Sequence, residues 1–108
     1  MYRVIKRLEI SASHKLDLPY ESKCKNLHGH NWILTVYLQS ETLENGMVFD
    51  FTEIKKLVKS KLDHKNMNDY IEQPTAENVA KYVCDILGEK CYMVEVQESD
   101  GNIAVYEK

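Results

Sequence analysis

With 108 residues, 44% of them hydrophobic, the chain has material for one modest core and one domain, residues 1–108. A net charge of −3 with no run of Lys or Arg excludes electrostatic capture of nucleic acid. No apolar stretch reaches the length of a membrane span, and the charged start Met1–Arg7 lacks the pattern of a signal peptide, so a cytoplasmic chain is expected. Its three cysteines, Cys24, Cys84 and Cys91, read as free thiols of a reducing compartment.

Residues 2–12 alternate loosely, with Tyr2, Val4, Leu8 and Ile10 on one face, and predict a strand with His14 just past its end. Residues 15–27, with Pro19 and mostly polar side chains, predict a long loop. Alternation returns at Trp32, Leu34, Val36 and Leu38, a second strand with His28 and His30 at its start. Asn45-Gly46 marks a turn, followed by the short run Met47-Val48-Phe49. Asp50 and Glu53 have capping-box spacing, and Ile54, Leu57, Val58 and Leu62 predict a helix over 52–62. A second helix begins near Pro74–Glu77 with Thr75 as N-cap and runs to Gly88 on the apolar face Val79, Val83, Ile86 and Leu87. Strands over 91–99 and 102–107 close the chain around the hairpin signal Asp100-Gly101. The order β-β-α-α-β-β makes this an α+β protein: a four-stranded antiparallel sheet with both helices on one face. Such a sheet leaves exposed edges, which small proteins often close by pairing subunits, so a homo-oligomer is expected.

Chemistry concentrates near the first two strands. His28 and His30 stand at i and i+2, so an extended backbone turns both rings to one face, and His14 reaches the same spot if the strands pair as a hairpin. Three imidazoles with one open position suit a catalytic zinc. Two other readings stay open: hydrogen-bonded histidines with no metal, and a closed, non-catalytic zinc module with Cys24 as fourth ligand beside the three histidines.

In a loop near a cation, Cys24 would be a thiol able to act as base or nucleophile. Cys84 and Cys91 read as small core residues. Asp63-His64 is either a proton-relay pair or the ordinary end of a helix. Glu98 continues the apolar face of Tyr92, Val94 and Val96, where a carboxylate needs a partner; a guanidine-like ligand edge or solvent would supply one.

Taken in order, His14, Cys24, His28-Gly29-His30, Asp50-Phe51, Asp63-His64, Pro74-Thr75-Ala76-Glu77-Asn78 and Glu98 resemble the 6-pyruvoyl-tetrahydropterin synthase family over the whole chain. The resemblance implies the tunnelling fold. It implies zinc on His14, His28 and His30, and catalysis by Cys24 with Asp63 and His64. Glu98 would anchor a pterin ring, with Thr75 and Glu77 nearby. It also implies a hexamer, a dimer of trimers with active sites between subunits. The three-residue gap between Cys24 and His28 resembles the bacterial 6-carboxy-5,6,7,8-tetrahydropterin synthases. Those lyases turn 7,8-dihydroneopterin triphosphate into 6-carboxytetrahydropterin, acetaldehyde and triphosphate on the route to queuosine. A pyruvoyl-forming synthase, which eliminates triphosphate alone, is the alternative within the family. Lys15, Lys23 and Lys25 are candidate triphosphate contacts by charge only.

Overall fold

A computed structural model describes residues 1–108. The elements are β1 (Tyr2–His14), β2 (His28–Ser40), α1 (Phe51–Leu62), β3 (Lys65–Asn66), α2 (Ala76–Leu87), β4 (Cys91–Ser99) and β5 (Asn102–Glu107). One sheet runs in the order β3-β1-β2-β4-β5. All neighbours are antiparallel except β3, which lies parallel to β1 at Ala12 and Ser13.

The sheet thus has five strands where four were expected. The fifth has no propensity of its own. His64 N–H donates to Ser11 O at 2.7 Å, and this bond draws the two residues after it alongside β1. Asp63 accepts from Ser11 N–H at 2.9 Å and ties the same point from its side chain.

The helices begin and end where their caps dictate. Asp50 accepts from Thr52 N–H at the start of α1, and Thr75 accepts from Asn78 N–H at the start of α2. Gly88 ends α2 with φ at +89°, a conformation costly for any residue with a Cβ. Both helices pack on one face of the sheet. Leu8, Ile10, Trp32, Leu34, Val36, Val94 and Val96 meet Ile54, Val58, Leu62, Val79 and Val83 in a single core. Cys84 and Cys91 are buried in it, and burial pushes the Cys91 thiol up to about 12. On α2 the apolar face includes Ala80 and Cys84, while Ile86 is only half-buried.

Strands β1 and β2 pair without a break from Tyr2↔Ser40 to His14↔His28. This register puts Ala12, His14, His28, His30 and Trp32 on the core face. Ser11, Ser13, Gly29 and Asn31 fall on the outer face.

Candidate metal centre

The core face of the sheet ends in polar groups. His14 is fully buried, and it is the one polar or charged residue in the buried set. Its ring lies edge-on to Trp32, whose indole N–H donates to Ala12 O at 3.1 Å. One ligand atom each from His14, His28, His30 and Glu98 falls within 4.8 Å of the others. Glu98 reaches them because it follows Val94 and Val96 on the inner face of β4.

Hydrogen bonds fix the state of two rings. His14 Nδ1 sits 2.7 Å from Pro74 O, and His28 Nδ1 sits 2.6 Å from Asn26 O. A carbonyl can only accept, so both Nδ1 atoms carry the proton, and in the neutral rings both Nε2 atoms present lone pairs. Those two Nε2 atoms lie 3.0 Å apart. Two lone pairs at that distance repel unless a cation or proton stands between them.

The third ring completes the case. His30 Nε2 is buried and without a hydrogen-bond partner. Its 2.9 Å approach to Glu98 Oε1 is an ion-pair distance that is poorly directed for a hydrogen bond. Burial lowers the His14 pKa against the opposing pull of the Pro74 carbonyl and Glu98, which favours the neutral, ligating form. Three imidazole nitrogens, two of them on carbonyl-anchored rings, and an adjacent carboxylate fit zinc.

Cys24 lies outside this group. It sits half-buried in a short 3-10 turn, Lys23–Lys25, held by a bond from Cys24 N–H to Ser22 Oγ and one from Leu16 N–H to Cys24 O. Lys25 is 3.9 Å from Glu21, and Lys15 and Lys25 border a cavity that also carries Asp17 and Glu72.

Asp63 and His64 stand together, 3.7 Å between Oδ2 and Nε2, at the end of α1. His64 has φ at +59°, uncommon outside glycine, and its side chain is 82% exposed. It borders a groove lined by Ser11, Ser13, Gly29 and Asn31 of the hairpin's outer face, and also by Ala12 and the metal-cluster residue His30. Glu77 and Glu98 line one cavity of about 310 Å³ beside the β4–β5 turn. Thr75 spends its hydroxyl oxygen on the α2 cap. Sequence reasoning missed the anchoring carbonyls of Asn26 and Pro74, because every residue has a carbonyl and none advertises its use.

A family profile described as 6-pyruvoyl tetrahydropterin synthase matches residues 3–108. The chain is 36% identical to the 6-carboxy-5,6,7,8-tetrahydropterin synthase of Synechocystis sp., over 98% of this chain and 93% of that protein. It is 34% identical to the dihydroneopterin monophosphate aldolase of Pyrococcus furiosus, over 77% of this chain and 72% of that protein. Among solved structures, Caenorhabditis elegans 6-pyruvoyl tetrahydropterin synthase matches with a TM-score of 0.78 at 30% identity, covering 99% of this chain and 95% of that one.

Proposed function

The chain belongs to the 6-pyruvoyl tetrahydropterin synthase family and has its tunnelling fold, and on that premise we propose that it is a zinc-dependent 6-carboxy-5,6,7,8-tetrahydropterin synthase. The substrates are 7,8-dihydroneopterin triphosphate and one water. The products are 6-carboxytetrahydropterin, acetaldehyde and triphosphate, feeding the synthesis of queuosine. The observation that carries the zinc reading is the pair of carbonyl-anchored imidazoles whose lone pairs face each other at 3.0 Å. The carboxy-forming branch rests on the three-residue gap between Cys24 and His28 and on the Synechocystis relative.

Residues 1–108 form one synthase domain in this reading. His14, His28 and His30 hold zinc, which supplies Lewis-acid polarisation of the substrate's side-chain oxygens. Cys24 moves a proton on the substrate side chain, and Asp63 with His64 moves one on the opposite side. Because His64 stands outside the cluster of His14, His28, His30 and Glu98, in this reading the relay is completed by His64 of a second copy. That requirement supports the oligomer, a hexamer built as a dimer of trimers. Glu98 holds the amino-pyrimidine edge of the ring, since its carboxylate borders both the histidines and the cavity it shares with Glu77. Thr75 caps α2 one residue before Ala76, which lines that cavity. No helix is long and apolar enough to cross a membrane, in keeping with a cytoplasmic site of action.

The deciding experiment incubates zinc-loaded protein with 7,8-dihydroneopterin triphosphate and assays acetaldehyde. Acetaldehyde formed in step with triphosphate supports the reading. Triphosphate without acetaldehyde assigns the pyruvoyl-forming reaction instead. Turnover of the monophosphate alone points to the aldolase chemistry named for the Pyrococcus relative.

A further inference from the structure

The groove on the outer face of the hairpin differs in charge from the four other main cavities. Cavities elsewhere carry Asp17, Glu72 and Asp85; Asp17 and Glu72; Glu44, Asp50 and Glu53; or Glu77 and Glu98. The groove, about 550 Å³, is lined by no carboxylate on a chain whose net charge is −3. Its lining includes Ser13, Asn31, His64 and Lys65, and it reaches His30 of the metal cluster. Lys65 pairs with no acid. The adjoining Asp63 is already engaged, by Ser11 N–H at 2.9 Å and by Lys59 at 3.9 Å.

Its donors are also free. Ser11 Oγ donates to Asn31 Oδ1 at 2.8 Å, which turns the Asn31 amide nitrogen outward as a donor. The Ser13 hydroxyl has no intramolecular partner among the side-chain hydrogen bonds. On the groove floor Gly29 faces Ser13 across the ladder, and a Cβ there would meet only Ala12 O at 3.8 Å. The fold does not need glycine for space at this point, and its absent side chain keeps the floor open. A hydroxyl, an amide, an imidazole and an ammonium around an open floor form a donor set for a polyanion with several oxygens.

We propose that this groove is an oxyanion subsite that takes the phosphate tail of the substrate, with Lys65, Asn31 and Ser13 as its contacts. The assignment rests on the reaction proposed above. It places the tail beside His64, so the copy that lends the relay also holds the leaving group. Lys15 and Lys25, two of the three lysines that stand out by charge in the sequence, share their cavity with acids and are not the contacts in this assignment.

The test is equilibrium dialysis of inorganic triphosphate against the zinc-loaded full-length protein, with metal content read on the same samples to separate groove binding from chelation. Lys65→Glu and the near-isosteric Asn31→Asp should each weaken binding at least about tenfold with zinc retained. They should raise KM for the triphosphate substrate more than they change kcat. Lys15→Glu should leave binding as in the wild type. Unchanged binding in both groove variants, or an equal loss in Lys15→Glu, would overturn the proposal. Because dialysis needs no pterin, triphosphate bound at Lys65 by a protein that releases no acetaldehyde would condemn the reaction and leave the anion subsite standing.

Discussion

The inner and outer faces of the β1–β2 hairpin are built from alternate residues of the same two strands, yet they treat polar groups in opposite ways. Inside, His14 and His30 lie edge-on to Trp32, backbone carbonyls anchor His14 and His28, and one ligand atom of each of the three falls within 4.8 Å of the others. Outside, Ser13, Asn31, His64 and Lys65 surround an open groove. A one-residue step along a strand separates a place where a polar atom must be satisfied by a cation from one where solvent satisfies it. The inner face could therefore hold a metal because of what it forbids, and the outer face, as proposed, would take a ligand because of what it leaves free.

Metal removal is the strongest way to break this contrast. A ligand at 1,000 times its Kd adds about 4 kcal/mol of stability, equivalent to roughly 15–30 °C in Tm for a domain of this size. Scanning calorimetry with and without a zinc chelator should show a drop of that order. A Tm that ignores the chelator would mean the inner face is simply a set of hydrogen-bonded histidines. Next in size, Cys24→Ala should lower kcat by about 10²- to 10⁴-fold while zinc content stays at the wild-type level. Loss of zinc instead would make Cys24 a ligand and favour the closed, non-catalytic module.

Smaller effects probe the outer face. Asp63→Ala orphans the Ser11 N–H and should cost about 1–3 kcal/mol in urea unfolding. Asp63→Asn keeps an acceptor in place and should cost less than about 1 kcal/mol. Equal losses in the two variants would show that the carboxylate charge, not its bond to β1, holds the strand. His64→Gly relieves a left-handed residue and should add about 0.5–1 kcal/mol, a few degrees in Tm, while turnover falls. A loss of stability there would mean that the imidazole makes contacts worth more than the strain.

Much of the inner face is legible in the sequence because side-chain alternation has a period of two. His28, His30 and Trp32 fall on one face in any strand, and Glu98 stands out as an acid continuing the face of Val94 and Val96. Its partners in space do not show, because pairing depends on register between strands far apart in the chain. Strand β3 is illegible for a different reason: two residues carry no periodicity, and the bond from His64 N–H to Ser11 O that makes it a strand is purely tertiary. Lys65 was equally invisible, since an exposed lysine is ordinary until its lack of an acidic neighbour is seen in three dimensions.

The order β3-β1-β2-β4-β5 has one more consequence. Strand β3 covers β1 only at Ala12 and Ser13, and β5 ends the sheet with Ile103 and Val105 each 54% exposed. A ribbon with two bare hems offers its backbone to whatever strand comes first, and another copy of the same ribbon is the best-matched tailor in the solution. In the oligomer proposed above, copies stitched together at those hems would make dilution a denaturant, and stability would belong to the concentration of the chain as much as to its fold.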